Sequence, residues 1–186
     1  MKRGITLVET VIVIGITTLA LFALTNLFLV FNTTYGYQQA VIATAGSAGS
    51  AMNALEAAVL PASEVLVSRD FSDTAYASAT TTLVLELPAV DGSGDMLPGA
   101  YDYIVFYTSD GTLYRLTEAD AGSARTSGLK LLSTTLNSLA FTYDNSDFTK
   151  ITKVAADLTT RVFYKQQEVQ SHLTGQWYLR NWQPSP

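Results

Sequence analysis

The sequence contains no cysteine, which excludes disulfides, thiolate metal ligands and cysteine nucleophiles together. Histidine is almost as scarce: His172 stands alone, too little for an imidazole zinc site or a Ser-His-Asp relay. Basic residues number 11 against 16 acidic ones, for a formal net charge of -5. Apart from Lys2-Arg3 they are scattered, so the clustered cations that nucleic acid requires are missing and no nucleic-acid partner is expected. No nucleophile-elbow, phosphate-loop or zinc-helix pattern occurs. The residues therefore point away from an enzyme, and nothing in them calls for a cofactor.

A further absence is local. Between Ile5 and Phe31 there is no Lys, Arg, Asp, Gln or Pro, and Glu9 is the single ionisable side chain. A transmembrane helix needs about 20 predominantly apolar residues, and this run exceeds that. Lys2 and Arg3 precede it, whereas the next basic residue is Arg69, so the positive-inside rule places the N-terminus in the cytoplasm and the remainder across the membrane. An ordinary secretory signal, cleaved near Ala43-Thr44-Ala45, fits less well. Its apolar region normally runs about 7 to 15 residues, and a charge inside it is unexpected. Glu9 is the anomaly, because an ionisable group in a membrane helix costs on the order of 2 to 4 kcal/mol and is a functional candidate by default.

The residues around it, Lys2-Arg3-Gly4-Ile5-Thr6-Leu7-Val8-Glu9, resemble the prepilin signature: a basic leader ending in glycine, then an apolar residue, Thr-Leu, one more residue and glutamate. The usual residue after the glycine is Phe, where Ile5 stands here. The resemblance is to the type IV pilin and type II secretion pseudopilin superfamily. It implies cleavage between Gly4 and Ile5 by prepilin peptidase on the cytoplasmic side, and N-methylation of the new Ile5 amine. It also implies pairing of Glu9 with the amine of a neighbouring subunit. Partners implied are other pilin or pseudopilin subunits, the peptidase, the inner membrane and the assembly platform. Looser resemblances to J-type pseudopilins and W-type minor pilins lie at Leu60-Pro61-Ala62-Ser63, Asp102 to Tyr107 with Leu113-Tyr114-Arg115, Ser138 to Asp144, and Leu179-Arg180-Asn181. They favour a minor subunit. The alternatives are the major pilin of a cysteine-free filament and a one-pass membrane-anchored surface binding domain.

Beyond Phe31 the apolar positions Val41, Ala45, Ala48, Met52, Leu55 and Val59 recur at spacings of four and three, the signature of one helical face. Asn53 and Glu56 fall on the opposite face, and Pro61 is a natural stop. From residue 64 onward short period-two runs separated by turn residues predict antiparallel strands. They are Thr81 to Leu87, Asp102 to Thr108, Thr112 to Thr117, Leu129 to Ser133, Ser138 to Tyr143, Lys153 to Tyr164 and Trp177 to Trp182. Asp110-Gly111 predicts a tight hairpin. The expected fold is α+β, a long N-terminal helix packed on an antiparallel-sheet globular domain. Its segments are a leader over 1–4, a transmembrane or filament-core helix over 5–31, an amphipathic half over 32–61 and the sheet domain over 62–186.

Three further features have blander readings. Asp91-Gly92-Ser93-Gly94-Asp95 offers Asp91 and Asp95 as weak metal candidates, but lacks the remaining oxygen ligands of a calcium loop and reads as a turn. His172, among Gln166, Gln167, Gln170 and Ser171, reads as a surface-loop residue. Asn26, a lone amide in the apolar run, suits a helix-to-helix hydrogen bond.

Overall fold

The structure is a computed structural model that describes residues 6–72 and 74–182. Its elements run α1 (Leu7–Val59), β1 (Glu64–Val65), β2 (Ser68–Phe71), β3 (Thr74–Ala77), β4 (Leu83–Val90), β5 (Met96–Ser109), β6 (Thr112–Glu118), β7 (Gly128–Ser133), β8 (Leu136–Tyr143), β9 (Lys153–Tyr164) and β10 (Gln167–Tyr178). The contacts divide the chain into two compact units, one ending at Ala40 and the other beginning at Val41.

In the first unit α1 is apolar and exposed all round, from Leu7 at 83% through Phe22 at 69% to Phe31 at 64%. It is long and apolar enough to cross a membrane. Several of its polar side chains are folded back on the helix. The hydroxyls of Thr17, Thr18, Thr25 and Thr33 each donate to the carbonyl four residues earlier, and Asn26 Nδ2 donates to Phe22 O. Such back-bonding is how a polar group survives without water. It leaves the Asn26 carboxamide oxygen to accept from elsewhere.

In the second unit the last turns of α1 pack on two antiparallel sheets, giving the expected α+β architecture with the strands split between sheets. One sheet has the order β1-β4-β5-β6-β7, the other β10-β9-β8, and β2-β3 form a separate hairpin. The helix buries Thr44, Ala48, Ala51, Met52, Leu55, Ala58 and Val59. Ala48, Met52, Leu55 and Val59 are as expected, but Val41 and Ala45 are exposed, and the buried stripe is shifted toward Thr44 and Ala51. Polar contacts fix that rotation. Thr160 of β9 donates its hydroxyl to Thr44 O at 2.9 Å, and Ser47 donates to Ser133 Oγ at 2.8 Å. The core between helix and sheets holds Leu55, Leu83, Leu85, Leu87, Phe106, Leu113 and Leu158, with Trp177 and Trp182 packed against it. Gly175 is needed beside Trp177, because a Cβ there would lie 2.6 Å from the indole and 2.7 Å from the Met52 methyl.

The second sheet corrects one expectation. Residues 167–178 are a strand paired along its whole length with β9, from Gln167↔Tyr164 to Tyr178↔Lys153, so His172 is a strand residue and not a loop residue. Its Nε2 lies 2.8 Å from Asp157 Oδ1. The expected last strand from Trp177 to Trp182 is only the end of this one, since the strand stops at Tyr178. The residues just past Tyr178 fasten the helix end. Arg180 N–H donates to Leu60 O at 3.0 Å, and Asn181 Nδ2 to Pro61 O at 2.8 Å, satisfying carbonyls that a helix terminus leaves open.

On the outer face of the larger sheet the β2-β3 hairpin covers a small cluster of Phe71, Val84 and Val105. Arg69 lies over the Tyr103 ring, its Cζ 3.1 Å from the centroid, and pairs with Glu118 at 3.5 Å. Beside it Glu86 of β4 stands directly opposite Glu64 of β1. Burial, then the Glu64 charge, push the Glu86 carboxyl above its ordinary value, against a Tyr103 hydrogen bond and Arg69. A carboxyl whose folded pKa is raised binds more protons folded than unfolded. Its stabilising contribution is present below the ordinary carboxylate range and is lost as pH rises through the raised value. Glu86→Gln is therefore expected to flatten the decline in stability from acid to neutral pH. Urea midpoints of wild type and variant at both ends of that range check it, and parallel pH dependences would contradict it.

Candidate functional site

The feature singled out by sequence lies at the start of α1. Gly4 and Ile5, the expected processing residues, lie outside the described residues; Glu9 occupies the first turn. Its carboxylate and Thr6 form a reciprocal pair. Thr6 N–H donates to Glu9 Oε2 at 3.3 Å, the Thr6 hydroxyl donates to the same oxygen at 3.4 Å, and Glu9 N–H donates to Thr6 Oγ1 at 3.2 Å. This is a capping box, in which a Thr and a Glu three residues later satisfy each other's open backbone donors. Thr6 is thus a residue that reading for charge alone overlooks. The signal that finds it is Thr-x-x-Glu ahead of an apolar run, present in Thr6-Leu7-Val8-Glu9.

The arrangement has two chemical consequences. The negative carboxylate sits where the positive end of the helix dipole favours an anion. Thr6 engages Oε2, so Oε1 remains open to a cation from outside the helix. Inside a membrane or a helical bundle, the apolar surface beyond it would give the low-dielectric surroundings in which such a pairing has weight.

The structure gives Asp91 a local task and leaves Asp95 without a shared ligand position. Asp91 Oδ1 accepts from Ser93 N–H at 2.8 Å and Asp95 N–H at 3.0 Å, closing the turn between β4 and β5. Among the described residues no group of three or more His, Asp or Glu is placed to hold a metal ion. The four weaker sequence stretches have definite positions. Leu60-Pro61 and Arg180-Asn181 meet at the helix end, Asp102 to Tyr107 and Leu113 to Arg115 pair as β5 and β6, and Ser138 to Tyr143 lies in β8.

Comparison of the chain with protein-family models, with characterised proteins and with solved structures returned no match.

Proposed function

We propose that the chain is a structural, non-enzymatic subunit, of the minor kind, of a type IV pilus-like or type II secretion pseudopilus filament. The observation that carries this reading is the run Lys2 to Glu9 placed directly ahead of an exposed apolar helix whose only ionisable side chain before Tyr35, Glu9, stands in its first turn. The precursor sits once through the cytoplasmic membrane with Lys2 and Arg3 inside. Prepilin peptidase removes residues 1–4 and the Ile5 amine is methylated. That cleavage removes two cations and creates one amine close to Glu9. In an apolar bundle neither charge is tolerable alone, so each subunit is driven to set its Ile5 amine against a neighbour's carboxylate, which fixes the axial register. The sheet domain then faces outward, outside the cytoplasm.

Intact-mass measurement of the mature protein tests this. The expected mass lacks residues 1–4 and carries one additional methyl group. Retention of Met1, or cleavage near Ala45, contradicts the proposal.

A further inference from the structure

The larger sheet has an uncovered edge. β7 pairs with β6 alone, and among the described residues no backbone hydrogen bond reaches residues 128–132 from any other neighbour. Alternate N–H and C=O groups of an edge strand point away from its partner, where water or another strand must satisfy them.

The side chains set this edge apart. Leu131 stands directly opposite Tyr114 and Leu129 opposite Leu116, so both leucines lie on the outer face, where the β2-β3 hairpin covers Phe71, Val84 and Val105. That cluster reaches Leu116 and stops. Leu129 is 59% exposed and Leu131 51%, beside the half-buried Tyr114 and Leu116, so the free edge coincides with the open half of an apolar face. Along the middle of β10, the edge of the smaller sheet, the exposed residues are chiefly polar: Gln170, His172 and Thr174. Lys130 shows which strand would fit beside β7. It lies between the two leucines on the opposite face, exposed, and among the described residues forms no ion pair. A second copy of β7, laid antiparallel so that Gly128 meets Leu132 and the leucines stay on one face, would set Lys130 against Lys130. Like charges directly opposite are unfavourable, whereas a carboxylate at that place is attracted.

We propose that β7 is a docking edge for an extended segment of a partner protein, which adds to the larger sheet as a further strand, lays two apolar side chains beside Leu129 and Leu131, and sets an acidic residue between them against Lys130. Main-chain pairing supplies the attachment, and the alternating side chains supply the selection. Lys130 also works by exclusion, since it repels a strand that carries a cation at the facing position and so disfavours pairing between copies of this chain. The edge is independent of Glu9 and of the filament reading.

The test titrates the full chain in detergent micelles with the terminally blocked peptide Thr-Val-Glu-Val-Thr and follows the backbone amides of residues 128–133 by NMR, with those of β10 as reference. Saturable shifts are expected in β7 and not in β10. Lys130→Glu should weaken binding about tenfold, because a favourable cross-strand pair becomes a repulsive one. The same variant should instead prefer the peptide with Lys in place of Glu. Lys130 is exposed, so this substitution leaves the fold intact. Of two peptides N-methylated on alternate residues, one should lose binding and the other keep it, because only every second amide faces β7. The proposal is overturned by the absence of saturable shifts, by shifts centred on β10, by equal binding of the Glu and Lys peptides to the wild-type chain, or by N-methylated forms that behave alike. Concentration-dependent shifts at residues 128–133 without peptide would make a second copy the occupant and overturn it as well.

Discussion

Glu9→Val is expected to leave the precursor in the membrane and to keep it out of the filament. Insertion depends on the apolar run from Ile5 to Phe31, which the substitution makes continuous. On the proposed function, assembly depends on the carboxylate, because leaving the partner amine unpaired in an apolar bundle costs about 3 to 5 kcal/mol, which corresponds to a loss of incorporation of ~100-fold or more. The capping box creates a rival explanation that the experiment must separate. Glu9 accepts from Thr6, so its loss also weakens the start of the helix, by about 1 kcal/mol. Glu9→Gln separates the two roles, since a capping box accepts Gln as well as Glu but an amide carries no charge. Sheared filaments from cells expressing each variant give the measurement. If charge pairing governs assembly, Gln is excluded as severely as Val. If Gln enters as well as wild type, the carboxylate serves the helix cap and the pairing mechanism is wrong.

Asp102→Ala is expected to produce the largest loss of stability in the globular unit. Asp102 is fully buried, and its two oxygens accept from Asp120 N–H at 2.8 Å, Ser123 Oγ at 2.7 Å and Arg125 Nη1 at 2.6 Å. It thereby holds residues 119–127, the connection between β6 and β7, against β5. Removing one member of a buried ion pair costs about 3 to 5 kcal/mol, chiefly because the other is left unpaired. In a domain of this size that lowers the melting temperature by roughly 10 °C. Arg125→Met should cost a similar amount, and the double variant less than the sum, because it no longer strands a charge. Thermal and urea unfolding of the three variants provides the check. A strictly additive double variant would mean that the two side chains do not act as a pair.

Much of the architecture was legible because hydrophobic period and turn chemistry agreed. Lys153 to Tyr164 is a strand over the expected residues, with Val154, Ala156, Leu158 and Thr160 all buried on one face. Asp110 and Gly111 take the positive φ angles, 48° and 70°, that a tight hairpin requires. The failures have physical causes. β10 looks like a loop because it is an edge strand rich in Gln, Ser and Thr, and its two-residue turn from β9 is Lys165-Gln166. Neither residue advertises a hairpin, yet both adopt positive φ, 46° and 67°. The early part of β5 was hidden by Pro98 and Gly99, which a regular strand avoids. They are accommodated because residues 97–100 bulge between the pairs Pro88↔Tyr101 and Val90↔Met96. At the candidate site, Glu9 was conspicuous as a charge among apolar residues. Thr6 was not, because its role appears only when the helix start is read as a cap.

The hydrogen bonds from Arg180 and Asn181 to Leu60 and Pro61 also bear on the order of folding. They join residues about 120 positions apart, so the end of the helix is completed by residues that follow the whole sheet domain in the sequence. Contacts of such separation form late and slowly. Until residues 180 and 181 are in place, the helix end lacks these partners, whatever else of the domain has formed. The fold thus makes closure of the helix end wait for the segment that follows β10.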